Sequence, residues 1–156
     1  MSFMVYNNIL EAVGHTPMVR LNHMVPEGCA EVLVKFEGLN VGGSIKTRTA
    51  LNMLEDAEKK NLISPSRTII VEPTSGNQGI DSVSEERRLL VTHYGAEVIL
   101  VHDAGNIGDC IEECQRIADQ MAAENPDVFV PGQFDNPANP EVHRKYTAAE
   151  ILEQVD

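Results

Sequence analysis

Chemistry in this sequence centres on one lysine and two polar loops. Lys46 follows Gly42-Gly43-Ser44 and shares a helical face with Ala50, Met53 and Ala57, the face expected to look into a core. The first turn of a helix is a poor place for a cation, because the macrodipole opposes it by about 0.3–1 kcal/mol. Burial and the dipole together disfavour the charged form, which leaves a nucleophilic amine able to form a Schiff base with a carbonyl compound. The glycine pair lets the backbone approach a bound group closely, and N–H groups at the helix start can hold an anion. The same residues also fit a lysine that snorkels to solvent from a frayed helix end, and by themselves they leave both readings open.

The second loop, Pro73-Thr74-Ser75-Gly76-Asn77-Gln78-Gly79, gathers hydroxyls, amides and two glycines behind an apolar run. Consecutive N–H groups there can form an anion nest, and the hydroxyls add donors suited to a carboxylate. A polar turn without a special role has the same composition. His15, His23, His93, His102 and His143 show no HxxxH or HExxH spacing, so a catalytic metal is not expected. Cys29, Cys110 and Cys114 make no CxxC. Cys110 and Cys114 fall on the stripe Ile107, Cys110, Ile111, Cys114, Ile117, Ala118, Met121, and all three cysteines read as reduced packing residues.

The elements that must position these loops follow from periodicity. Asn8 and Glu11 stand as a capping pair before a short helix that Gly14 can end, and Met18-Val19-Arg20-Leu21 reads as a strand. Helices are expected near 44–60, 83–94 and 107–124, with a capping box at Ser82 and Glu85 for the second. Strands of a parallel core are expected near 32–36, 68–72, 97–101 and 127–130, with Ile69-Ile70-Val71 and Val98–Val101 buried on both faces. Thr147 and Glu150 read as the capping box of a last helix. Strands alternating with helices give an α/β fold with right-handed crossovers and ligands at the carboxyl ends of strands, where both loops lie.

Composition narrows the partners. The 156 residues, 42% of them hydrophobic and 23% charged, suit one globular core. Twelve basic residues against twenty-four acidic ones leave a net charge of -12, which argues against nucleic acid and anionic membrane surfaces. No leader-like or membrane-spanning run is visible, so a cytoplasmic location is expected.

Three segments in this order are more specific than any one of them: Asn40-Val41-Gly42-Gly43-Ser44-Ile45-Lys46-Thr47-Arg48, then Glu72-Pro73-Thr74-Ser75-Gly76-Asn77-Gln78-Gly79, then Gln133-Phe134-Asp135-Asn136-Pro137-Ala138-Asn139-Pro140. With the opening Gly14-His15-Thr16-Pro17-Met18-Val19-Arg20-Leu21-Asn22, the chain resembles the cysteine synthase and cystathionine β-synthase family of fold type II pyridoxal-phosphate enzymes over nearly its whole length. The resemblance implies the smaller domain of that architecture, a parallel sheet with flanking helices, over residues 35–156. Residues 1–34 would be the segment that packs on a second, C-terminal domain, which this chain lacks.

The resemblance also implies roles. Lys46 would be the catalytic lysine that holds pyridoxal 5'-phosphate covalently, Asn77 would contact the cofactor's ring hydroxyl, and Thr74, Ser75, Gly76 and Gln133 would hold the substrate carboxylate. The implied reaction replaces the acetate of O-acetylserine with sulfide to form cysteine, with the cofactor as electron sink. Cystathionine β-synthase and diaminopropionate-type synthases share these motifs. A non-catalytic α/β domain derived from the family, binding a partner, is the alternative.

Departures from the pattern carry expectations of their own. Thr47 stands where an aspartate is usual and Val41 where a proline is common. After Ile80 a whole αβ unit is missing from the family pattern, and the sequence stops before the family's phosphate-gripping loop and the serine that meets the pyridine nitrogen. Weak cofactor binding and little or no synthase activity are expected of this chain alone. Exposed apolar surface would favour a homodimer, with domain swapping the form expected first.

Overall fold

The computed structural model describes residues 5–74, 92–101 and 107–155. They fall into two compact units, one formed by Met1–Leu62 with Gln133–Asp156, the other by Ile63–Gly132.

In the first unit the chain opens with a single 3-10 turn, Ile9–Ala12, capped by Asn8, whose side-chain oxygen accepts from the amides of Leu10 and Glu11. Glu11 returns the bond by accepting from the Asn8 side-chain amide at 3.1 Å, which completes the expected reciprocal pair. Strands β1 (Met18–Arg20) and β2 (Leu33–Lys35) then pair antiparallel, with Val19 opposite Val34. The expectation that the 32–36 run joins a parallel core is thereby corrected. The linker between β1 and β2 contains no helix, and without a crossover the chain can return only antiparallel.

Helix α1 (Lys46–Lys59) buries Met53 and Ala57 and carries the i,i+4 pairs Lys59–Glu55 and Lys60–Asp56 on its exposed side. It ends in a Schellman motif: Asn61 takes φ 57, its amide bonds the Glu58 carbonyl at 2.9 Å, and the Leu62 amide bonds that of Ala57 at 2.9 Å. Helix α3 (Ala138–Val142), a π-helical turn (His143–Thr147) and α4 (Ala148–Val155) form one uninterrupted helical stretch. The Thr147–Glu150 capping box is therefore absent. Thr147 is buried inside the helix with its hydroxyl 3.0 Å from His143 Nδ1, and Glu150 is engaged elsewhere.

The second unit holds β3 (Ile69–Ile70) and β4 (Val128–Phe129), which pair parallel, and α2 (Ile107–Glu124), which spans the expected residues. Cys110 and Ala118 are buried on the expected stripe, with Ile111, Cys114, Ile117 and Met121 half-buried. Both cysteines are free thiols that pack as anticipated; Cys29, in the β1–β2 linker, is a free thiol and exposed, which corrects its reading as a packing residue. Ile69 and Ile70 are about half exposed, at 49% and 47%, so the expected burial on both faces is corrected. A strand is covered on both sides only when neighbours flank it, and among the described residues β3 has one partner.

Val98–Val101 form no strand, a further correction: apolar composition gives the propensity, but a strand exists only where a ladder partner is offered. Of the helix expected near 83–94, Thr92 and His93 are helical and the Gly95 amide closes on the Thr92 carbonyl. The rest of it, with the Ser82–Glu85 box, lies outside the described residues. Among the described residues no helix is long and apolar enough to cross a membrane. The chain is an α/β protein with a small parallel sheet and flanking helices.

Candidate functional site

Lys46 is the first residue of α1 and is exposed, as is Ala50 one turn on; only Met53 and Ala57 of the expected face are buried. The burial on which the sequence argument for its reactivity leaned is therefore absent from this chain. Its ammonium makes no hydrogen bond or ion pair among the described residues. The turn before it is tightly organised. The Gly43 amide bonds the Asn40 carbonyl at 2.7 Å, the Lys46 amide bonds Ser44 Oγ at 3.2 Å, and the Thr47 and Arg48 amides bond the carbonyls of Ser44 and Ile45.

Gly42 is needed here for a reason the sequence did not suggest. Its amide donates to Thr47 Oγ1 at 3.1 Å, and a Cβ at this position would collide with that hydroxyl. The close approach served by Gly42 is thus to its own helix. Around Gly43 the space where a Cβ would stand is open. Most N–H groups expected to be free are committed internally, and the consecutive amides of Ser44 and Ile45 are the ones with no acceptor among the described residues. An unpaired primary amine, two amides without an acceptor among the described residues and open space beside Gly43 fit a small anionic group that carries a carbonyl.

Gln133 belongs to the same unit and is tied to α1 by a relay. The Gln133 carbonyl accepts from Asn139 Nδ2 at 2.6 Å, while Asn139 Oδ1 accepts from Thr49 Oγ1 at 3.1 Å, one helical turn beyond Lys46. Asn52 Nδ2 adds a bond to the Ala138 carbonyl at 2.7 Å. The elements bearing Lys46 and Gln133 are therefore joined through Asn139. Thr74 lies in the second unit, exposed just after β3 and the buried Pro73. Ser75, Gly76 and Asn77 lie outside the described residues.

What sequence reasoning missed is a buried knot of charge two residues from Lys46. Arg48, whose side chain is 2% exposed, grips two carboxylates at once. Its Nε and Nη2 donate to Glu37 at 2.9 Å each, and Nη1 and Nη2 donate to Glu150 at 2.6 and 2.7 Å. Lys35 Nζ lies 2.7 Å from Glu150 and also donates to the Thr16 carbonyl and to Gln154. Two cations and two carboxylates balance, as a buried cluster requires. Asn40 donates to Glu37 at 3.0 Å, and Glu150 accepts from the amide of His15, which is held at φ 49.

These contacts set the electrostatics. Burial alone would raise Glu150, but hydrogen bonds from Arg48, Lys35 and the His15 amide hold its carboxyl at about 2. Glu37 is likewise lowered: burial opposes it, and Arg48, Thr16 and Asn40 outweigh that. Hydrogen bonding to Glu150 raises Arg48 against its own burial. His143 is pushed down by burial and then by the nearby Arg48 and Lys46, with Glu37 opposing. The knot was invisible in sequence because its members lie up to 102 residues apart from Arg48 and no periodicity links them.

Comparisons with known proteins give the family. A family model described as "Pyridoxal-phosphate dependent enzyme" matches residues 9–82 and 81–156. The match breaks in two where the sequence places the missing αβ unit. A probable cysteine synthase of Bacillus subtilis is 38% identical over 96% of this chain and 52% of its own length. An O-ureido-L-serine synthase of Streptomyces lavendulae is 43% identical over 95% of this chain and 49% of its own. Among solved structures, a hydrogen sulfide-producing enzyme from Fusobacterium nucleatum superposes with a TM-score of 0.82 and 36% identity, over 98% of this chain and 54% of that one. The chain spans about half the length of the relatives it matches.

Proposed function

Because the chain belongs to the pyridoxal-phosphate-dependent enzyme family, with the fold type II architecture of its structural neighbours, we propose that it is the Lys46-bearing part of a pyridoxal-phosphate enzyme that replaces the β-substituent of an O-activated serine. Pyridoxal 5'-phosphate is the cofactor of the family. When bound, it supplies an electron sink for charge developing at the substrate α-carbon. The single observation that supports the reading best is Lys46, exposed and unpaired among the described residues, at the start of a helix whose preceding turn offers open space and two amides without an acceptor among those residues.

In this reading Lys46 is the catalytic residue and carries the cofactor on its amine, which must first lose a proton to react. Gln133, oriented through Asn139, and Thr74, Ser75 and Gly76 hold the substrate carboxylate, and Asn77 contacts the cofactor ring. O-acetylserine and sulfide are the proposed substrates, giving cysteine. The O-ureido-L-serine synthase relative supports a second incoming nucleophile at the same site, since the product it is named for carries a different β-substituent. The exposed cross-strand pair Val19 and Val34, with Phe36 at 47% exposure beside them, supports a homodimer, and the acidic chain with its free thiols supports a cytoplasmic location.

The test is reductive trapping. Incubation with pyridoxal phosphate, reduction with borohydride and peptide mapping should place the label on Lys46 ahead of the surface lysines, with the yield rising as pH rises and the amine loses its proton. Labelling of Lys46 no greater than that of Lys59 would overturn the reading.

A further inference from the structure

Resting on that reading of Lys46, we propose that Arg48, gripped by Glu37 and Glu150, is a positioning residue that fixes the rotation of α1 and so the direction in which Lys46 presents its amine. Successive helical residues are about 100° apart, so Lys46 and Arg48 project to nearly opposite sides of the helix. Arg48 is held bidentately by two carboxylates and again by Thr16 Oγ1 at 3.3 Å, so five donor contacts define its pose. A planar guanidinium fixed on one side of the first turn leaves Lys46 one direction on the other.

The grip reaches three separate parts of the chain. Glu37 belongs to the 3-10 turn Glu37–Leu39, and its neighbour Asn40 accepts from the Gly14 amide at 3.2 Å. Glu150 comes from α4 and is itself held by Lys35 of β2 and by the His15 amide. Local helix chemistry does not account for the cluster. A lone guanidinium against one carboxylate would be enough for charge balance at this spot, whereas two bidentate partners on adjacent edges of the guanidinium determine orientation as well. No other ionic group in the first turn of α1 is buried.

The experiment uses the chain as it stands, with pyridoxal phosphate and borohydride as the probe and the Lys46 to Lys59 labelling ratio as the readout. Lys59 lies at the other end of the same helix and is an internal reference. Glu150→Gln keeps the shape of the side chain and removes its charge; Glu37→Gln loosens the other grip and serves if the first variant does not fold by circular dichroism. Asn8→Ala removes the cap of the Ile9–Ala12 turn in the same unit, and Asn8 bonds only Leu10 and Glu11, none of the groups around Arg48.

The expected result is a ratio about fivefold lower in either Glu variant, the factor that accompanies about 1 kcal/mol. Asn8→Ala should leave the ratio unchanged even if it lowers the unfolding midpoint. An unchanged ratio in folded Glu150→Gln and Glu37→Gln would overturn the proposal. So would a ratio that falls in all three variants in step with stability, because a purely structural role predicts that. Failure of the wild-type chain to favour Lys46 over Lys59 would instead overturn the underlying reading, and the two failures are told apart in the first lane.

Discussion

In the unit formed by Met1–Leu62 and Gln133–Asp156 a guanidinium sits at the centre, ringed by carboxylates, a lysine and a threonine hydroxyl. In the Ile63–Gly132 unit the buried described residues are Pro73, Cys110, Ala118 and Pro131, none of them charged. Ion pairs there, such as Arg116–Glu113 and Arg67–Asp127, lie on the surface. The first arrangement is directional and breaks if one member is lost; the second rests on contact area and tolerates loss of its charges. A polar core of this kind specifies geometry, which suits the proposed aiming of Lys46, and that specificity comes with vulnerability.

The largest effect should come from cutting the centre of the knot. Arg48→Met leaves Glu37 and Glu150 without their main partner, and such a loss costs about 3–5 kcal/mol. Native-state hydrogen exchange should show the amides of α1 and α4 losing protection while those of α2 keep theirs. Equal loss in α2 would end the distinction between the units.

Acid should separate the units next. Glu150 titrates near 2 in the fold against about 4.5 when free, so its contribution is complete above about 4.5 and is lost as pH falls toward 2. Glu37 shifts in the same direction, and His143, lowered from 6.5, adds a smaller loss that begins as pH drops below that value. The amount at stake from Glu150 alone is on the order of 2–3 kcal/mol. Hydrogen exchange corrected for intrinsic rates, compared at pH 7 and pH 3.5, should show α1 and α4 weakening before α2. Uniform weakening would mean that the knot does not set the stability of its unit.

The smallest effect sharpens the same contrast from the other side. Arg116→Ala removes an exposed i,i+3 pair on α2 and should change stability by no more than about 0.5 kcal/mol in a urea titration. A loss near that of Arg48→Met would show that exposure is a poor guide to the worth of these pairs.

Local patterns were legible wherever one stretch of chain decides its own shape. The Asn8–Glu11 cap and the span of α2 with its Cys110 and Ala118 stripe rest on periodicity or capping within a few residues, and the alternation of strands with helices pointed to the parallel pairing of the 69–70 and 128–129 runs. Motif alone pointed to Lys46 and Gln133 as candidates. The Schellman end at Asn61 was equally local but carried no glycine to mark it.

Only the tertiary structure decided the rest. Lys46 proved exposed although its helical face predicted burial, because burial depends on what lies across from a face and not on the face itself. Val98–Val101 had the composition of a strand and found no ladder, and β2 turned antiparallel because its linker had no helix to carry a crossover. Arg48, Glu37 and Glu150 gave no sign of one another, since an ion pair between residues 102 positions apart leaves no period in the sequence. The sequence by itself determined which residues could do chemistry and which helices would carry them. A helix fixes the angles between its own side chains but not its rotation against its neighbours, and that rotation is left to tertiary contacts such as the long-range pairing of Arg48 with Glu37 and Glu150.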